Sequence, residues 1–469
     1  MNESYQPEPR PREDRPVHPK RRKRTKWQDF KEAWLPAILV AVSAVLCVTF
    51  IVGAVRRSGG HTEPESSSAP VEDMQLKQQQ EQAELISRAA ELARQYDYPA
   101  AMEVLNSYSA GLSTSSALTE KYQEYEQALA QTVPWTSESE IPNLAVRMLI
   151  VDLPRATANE KYGSGFNRNY LTTTEFSRLL EQLYANGYLL ISPYDLASID
   201  GNGQVTAGTV YLPADKKPII LTQLGTNFFT YMTDGDGDGL PDQDGSGFPY
   251  RLAIGPDDQL VSQVVDADGK DLTGSYDLVT ILNDFVREHP DFSYRGARAV
   301  LAVTGYDGLF GYRTDPETSE KISPEFYDAQ LREVGPVVEK LRADGYDIAC
   351  MSYDYVNYAA QSTADVTKDL ADWQAEVAPI LGSVNMMVMP YEDLTPGKDL
   401  YTGGKYDVLM ENGFRYFLAN GTAEPWMQRT DKYARMHFFI LGAEDLHDDP
   451  GVYADWFDAA AVLDPEHQF

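Results

Sequence analysis

Disulfide chemistry has nothing to work with in this chain. Its 469 residues include two cysteines, Cys47 and Cys350. The first sits in a long apolar run and the second deep in the later sequence, so no disulfide framework holds the fold. A chain of this length buries enough core not to need one. Basic residues are scarce too: 40 Lys+Arg stand against 71 Asp+Glu, a formal charge of −31. The acidic excess lies beyond Arg57, because residues 1–57 are net basic. Such a surface repels polyanions, which excludes a nucleic-acid partner. The six histidines form no HxH, HxxxH or HExxH pair. There is no Gly-x-Ser-x-Gly elbow and no phosphate-binding P-loop. Paired carboxylates are too abundant in so acidic a chain to single out a glycosidase pair.

Against this background one apolar run stands out. Residues 34–55, WLPAILVAVSAVLCVTFIVGAV, carry no charge and match the roughly 20 residues a helix needs to cross a bilayer core. Lys20, Arg21, Arg22, Lys23, Arg24 and Lys26 precede the run, and only Arg56 and Arg57 directly follow it. That bias puts the N-terminus in the cytoplasm. No small-residue cleavage site follows the run, so the expectation is an uncleaved, single-pass anchor in the cell membrane with everything after it extracytoplasmic.

The rest of the chain divides by texture. Residues 1–33 read as a disordered basic tail, and 56–71 as a flexible linker. Residues 72–140 read as a short helical stalk. Leu85, Ile86, Ala89, Leu92 and Ala93 recur at helical spacing, Pro99 opens a second helix, and a third carries Tyr122, Tyr125 and Leu129. The run AAELARQYDYPAAMEVLNSY resembles one tetratricopeptide-type helix pair, and one pair cannot make a solenoid. From residue 141 to 469 strands and helices alternate, which favours a parallel sheet and suggests a barrel-like α/β domain. Strands are expected at 146–153, 218–222, 299–304, 346–350 and 384–389. Thr172-x-x-Glu175 is a capping box ahead of an amphipathic helix.

Four runs carry a family resemblance: IILTQLGTNFF at 219–229, LVTILNDFVREHPDFSYRGARAVLAVTGY at 278–306, LRADGYDIACMSYDYVN at 341–357 and VMPYEDL at 388–394. Their content and order resemble the polysaccharide deacetylase (NodB-homology) family, in a membrane-anchored bacterial variety. The resemblance implies a distorted (β/α) barrel of the glycoside hydrolase/deacetylase type, and a zinc ion that activates water to remove acetyl groups from glycans. It also implies an Asp-Asp pair after the first of these strands, a His-x-x-x-His after a later one, and an arginine before Pro-Tyr.

This sequence departs from each requirement. The Asp-Asp positions fall on Leu224 and Gly225, the histidine positions on Met351 and Tyr355, and the arginine position on Val388. Leu and Gly offer neither ligand nor base, and Met and Tyr suit zinc poorly. The expectation is a barrel without the family zinc, which holds cell-wall polysaccharide or a wall-associated protein. Asn227, Phe228, Tyr353, Asp354 and Tyr391 are its glycan-binding candidates. Two alternatives stand beside it. One is an active carbohydrate deacetylase with a site rebuilt from Cys350, Asp354 and His437. The other is a purely structural or regulatory scaffold. A separate loop, Asp234-x-Asp236-x-Asp238-Gly239-x-x-Asp242, has carboxylates spaced for a structural calcium, although Gly245 stands where an EF-hand has its last acidic ligand. Asp266–Gly269 reads as a hairpin turn.

Overall fold

The computed structural model describes residues 69–233, 245–421 and 424–469. The expected basic tail and membrane helix, nearly all of the linker and the aspartates of the calcium-type loop lie outside these residues. Among the described residues no helix is long and apolar enough to cross a membrane.

Helix α1 (Ala69–Arg94) begins within the segment expected to be linker. α2 (Tyr98–Asn106) starts where Asp97 accepts the Ala100 N–H and Pro99 occupies the first turn, a position at which the missing N–H costs nothing. α3 (Ser116–Gln131) is capped by Ser115. Leu85, Ala89, Ala101, Leu105, Leu118 and Tyr125 form the small core among the three. Residues 75–469 pack as one unit, so these helices are docked onto the barrel domain. The Arg295 N–H donates to Gln95 O at 2.8 Å, and the Arg295 guanidinium lies 3.8 Å from Asp97.

Seven strands make the framework: β1 (Asn143–Val146), β2 (Lys217–Leu224), β3 (Val300–Val303), β4 (Asp347–Cys350), β5 (Met386–Val388), β6 (Tyr416–Asn420) and β7 (Ala434–Ile440). Each pairs in parallel with its neighbours in the order β1-β2-β3-β4-β5-β6-β7, and β7 returns to β1. The ring is therefore a closed parallel barrel. A short strand, Tyr188–Leu190, flanks the first half of β2.

Alternation sorts the side chains onto two faces. Ala145, Ile220, Leu224, Val300, Ala302, Ala349, Met386, Leu418 and Met436 fill the barrel interior. Leu144, Leu221, Leu301, Ile348, Met387, Phe417 and Phe439 face out. They meet the apolar stripes of α4 (Thr173–Ala185), α5 (Leu278–Glu288), α6 (Pro324–Ala343), α7 (Thr363–Asp372) and α8 (Gly404–Glu411). Both faces are covered, so the strands read as continuous apolar runs rather than as alternating ones.

Three of the expected strands, at 299–304, 346–350 and 384–389, appear with shorter ends, and the one at 218–222 extends to Leu224. The expected strand at 146–153 is displaced: β1 spans Asn143–Val146, and the later residues turn away into a short helix, Leu153–Thr157. The reason lies inside the barrel, where Asn143 pairs with the Thr222 hydroxyl at 2.8 Å. The buried Oδ1, satisfied by a neighbouring strand's hydroxyl, holds Asn143 in β1 even though it interrupts the apolar pattern. Between β2 and β3 a three-stranded antiparallel sheet (Pro249–Ile254, Leu260–Val265, Asp271–Gly274) is inserted. Its last turn is the expected one at Asp266–Gly269, where the Asp266 carboxylate accepts the N–H groups of Asp268 and Lys270.

Candidate functional site

β1, β2, β3 and β4 all deliver loops to the carboxyl end of the barrel, where barrel sites are built. There a cavity of about 110 Å³ opens to solvent. Five aromatic rings line it: Tyr170, Phe229, Tyr231, Tyr306 and Tyr355. Met148, Met232, Leu224 and Gly225 complete the apolar wall, and Arg147 is the one charged side chain in the lining among the described residues. A single water needs on the order of 10–15 Å³ by this measure. The cavity therefore holds several waters or one small acyl or carboxyl group.

The rings form a connected wall. Tyr231 stacks on Phe229 at 5.7 Å and on Phe166 at 6.2 Å between centroids. Phe229 in turn stacks on Tyr306 at 5.9 Å. At the rim Tyr391, which is about half exposed, lies 5.2 Å from Tyr355. Burial pushes the hydroxyls of Tyr231, Tyr306 and Tyr355 above the usual phenol range. They stay neutral donors at physiological pH. Arg147 is oriented by donating to the Asn169 carbonyl at 3.0 Å, and its guanidinium lies 5.8 Å from the centre of the Tyr170 ring.

Three of the positions at which the resemblance implies zinc ligands and a base line this cavity, and none carries a ligand group. Leu224 and Gly225 line the cavity at the end of β2, and Tyr355 lines it from the loop after β4. Met351 is 1% exposed and Val388 fully buried, both within the barrel interior. None of these groups supplies an imidazole, thiolate or carboxylate, so the donor set does not fit zinc. Gly225 is also fixed sterically. It has φ +70°, and a Cβ there would lie 2.7 Å from Cε2 of Phe229. An aspartate in this place would have to displace the ring that now closes the cavity.

Asp369 of α7 holds the loop after β4. Its carboxylate accepts the N–H of Tyr353 at 2.7 Å, the N–H of Asp354 at 2.9 Å and the hydroxyl of Tyr358 at 2.5 Å. Ser352 and Tyr355 adopt left-handed backbone conformations, φ 60° and 53°, and Tyr355 enters the cavity lining from this bend. Such conformations cost of order 1–3 kcal/mol for ordinary residues, and the Asp369 clamp offsets that cost.

The other sequence-picked residues have different places. Asn227 is fully buried and latches two loops. Its Nδ2 donates to the carbonyls of Thr304 at 2.9 Å and Gly308 at 2.5 Å, and its Oδ1 accepts the Thr304 N–H at 3.1 Å. Phe228 is fully buried, with its carbonyl accepting from Arg313 at 2.9 Å. Both belong to the scaffold behind the cavity. Tyr353 hydrogen-bonds Glu376 and lies against Gly305, where a Cβ would collide with its ring. Asp354 is exposed, and partial desolvation of its carboxyl, with the Asp369 carboxylate close by, raises its pKa. Neither lines the cavity.

The rebuilt metal site is not assembled. Cys350 is buried on the outer face of β4, and burial raises its thiol well above the usual range. His437 packs against Trp426 with ring centres 4.6 Å apart and lies 3.8 Å from Asp393. Among the described residues no group of three His, Cys, Asp or Glu side chains could hold a metal ion. Arg147, Met148, Tyr170 and Tyr306 were not singled out from the sequence. The available signal was Arg147, a lone charge inside the apolar run NLAVRMLI.

No protein-family model matches the sequence, and no curated protein matches it. Solved structures do. The Streptococcus pyogenes deacetylase PplD, in complex with acetate, aligns with 11% identity and a TM-score of 0.37, over 69% of this chain and 99% of that one. A Mycobacterium smegmatis protein assigned as a polysaccharide deacetylase aligns with 14% identity and a TM-score of 0.22, over 34% of this chain and 45% of that one. Both scores are too low for either likeness to carry a functional conclusion.

Proposed function

We propose that this chain is a polysaccharide-deacetylase-like protein, anchored in the cell membrane by residues 34–55, whose barrel binds extracytoplasmic cell-wall glycan without hydrolysing it. One observation carries the reading: the cavity at the strand ends is walled by five aromatic rings and one guanidinium, with no carboxylate, imidazole or thiolate in its lining among the described residues. No described lining group is a zinc ligand or a general base that could activate water. Aromatic faces suit the C–H faces of a sugar ring, neutral tyrosine hydroxyls suit its oxygens, and Arg147 suits an acyl carbonyl or carboxylate. A structural calcium in the 234–242 loop accompanies this reading, its carboxylates spaced for a hard cation.

Sedimentation with purified peptidoglycan tests the function. Full-length protein is expected to co-sediment, and Tyr355→Ala and Arg147→Met to lose at least tenfold in affinity. Acetate release from acetylated glycan is expected to stay at the no-enzyme rate with added zinc. Release above that rate, or binding unchanged in both variants, overturns the proposal.

A further inference from the structure

Four tryptophans fall among the described residues, and three of them, Trp135, Trp426 and Trp456, line a single groove of about 540 Å³. This groove is separate from the aromatic cavity. Lys217 and Pro218, which open β2, line it; Leu224, which closes β2, lines the cavity. At about 3.3 Å per residue the strand sets the two some 20 Å apart. The groove volume lies within the roughly 300–1,000 Å³ of small-molecule sites and is several times that of the cavity.

Its walls come from six separate parts of the chain. Trp135 lies beyond the end of α3, half-buried, with its indole N–H tied to the Ser137 carbonyl at 2.9 Å. Trp426, also half-buried, is held in place by the Arg435 guanidinium at 4.9 Å and the His437 ring at 4.6 Å. Trp456 packs on Phe439 at 5.0 Å, and Tyr188 carries the Lys217 ammonium 5.0 Å above its ring. Between the rings stand exposed groups of both signs: Glu140, Glu424 and Asp455 against Lys217 and Lys398.

Two half-buried indoles, Trp135 and Trp426, above a floor formed by the nearly buried Trp456 and Tyr188 and between exposed groups of near-balanced charge, match one ligand chemistry well. A neutral pyranose has apolar C–H faces for the indoles and hydroxyls around its edge for carboxylates and ammoniums. An amphipathic helix would need a continuous apolar trough, and these walls are broken by five charges. A polyanion would meet three carboxylates. We infer that the groove is a second carbohydrate site, taking two or more units of an uncharged hexopyranose or N-acetylhexosamine chain. This inference does not depend on what the cavity at the strand ends binds.

Tryptophan fluorescence of the full-length chain reads the groove directly. Titration with the tetramers of N-acetylglucosamine and of glucose is expected to give a saturable change with at least one of them. Trp135→Ala and Trp426→Ala should weaken it tenfold or more. Lys398→Ala and Glu424→Gln, both on the exposed rim, should weaken it three- to tenfold with the far-ultraviolet circular dichroism unchanged. Two results overturn the assignment: no saturable change with either tetramer, or a change that persists in the rim variants and disappears in Tyr355→Ala, which would place the sugar at the other end of the barrel.

Discussion

The closing residues of the described chain are held by one buried ion pair, and its removal should be expensive and pH-dependent. Glu175 closes the capping box of α4, its Oε2 accepting the Thr172 N–H at 2.8 Å. Its Oε1 accepts the Asp464 N–H at 3.0 Å and His467 Nδ1 at 2.9 Å. His467 Nε2 reaches the Asn167 carbonyl at 2.7 Å, and both side chains of the pair have no solvent exposure. Burial works against both charges. The hydrogen bonds from His467, Asp464 and Thr172 nevertheless hold Glu175 below its ordinary value, and those to Glu175 and Asn167 hold His467 above its own. Glu175→Ala strands a buried imidazole, which costs about 3–5 kcal/mol, and removes the cap, worth about 1 kcal/mol. His467→Ala leaves the carboxylate with its two N–H donors and should cost less, about 2–3 kcal/mol.

The pH dependence comes from the two directions. The raised histidine contributes fully below its unfolded value of about 6.5, and that contribution is lost as pH rises through the folded value. The lowered glutamate contributes fully above about 4.3, and that is lost as pH falls through its folded value. Urea unfolding of wild type and His467→Ala should therefore differ most between about pH 4.5 and 6.5 and converge on the alkaline side. A gap that is flat from pH 5.5 to 9, or a cost for Glu175→Ala below about 1 kcal/mol, would refute the reasoning.

Three further outcomes are expected. Gly225→Asp, which puts a carboxylate at the end of β2, should destabilise by about 1–3 kcal/mol from its positive φ and the Phe229 contact, and elemental analysis should find no bound zinc. Asp369→Asn places an amide where three donors converge; a loss of about 2–3 kcal/mol is expected, with faster hydrogen exchange at the Tyr353 and Asp354 amides. Arg435 is fully buried, bonded to Asp393 and to the carbonyls of Thr395, Gly397 and Asp399, and sits 4.5 Å from the Tyr401 ring. Arg435→Met leaves Asp393 buried without its cation, and thermal and urea unfolding should show a loss of about 3–5 kcal/mol.

Local chemistry was enough for much of the architecture. The apolar runs at 218–222, 299–304, 346–350 and 384–389 read as buried strands because a parallel barrel covers both faces of every strand. Thr172 and Glu175 marked a helix start because a capping box is local and reciprocal. That Leu224, Gly225 and Met351 offer no carboxylate or imidazole, and Tyr355 only a phenol, also needed no coordinates, since it concerns which atoms those side chains possess. Tertiary structure decided the rest. Arg147, Tyr170, Tyr231, Tyr306 and Tyr355 meet only because four separate strands end at one rim. Trp135, Trp426 and Trp456 share a groove because ring closure brings residues some three hundred positions apart into one wall. Asn227 and Phe228 carry the right residue types for sugar contact and spend them on carbonyls and core. Composition and periodicity fix what each segment can bury and what chemistry it lacks. Which side chains share a cavity depends on contacts between residues distant in the chain, and those exist only once the barrel has closed.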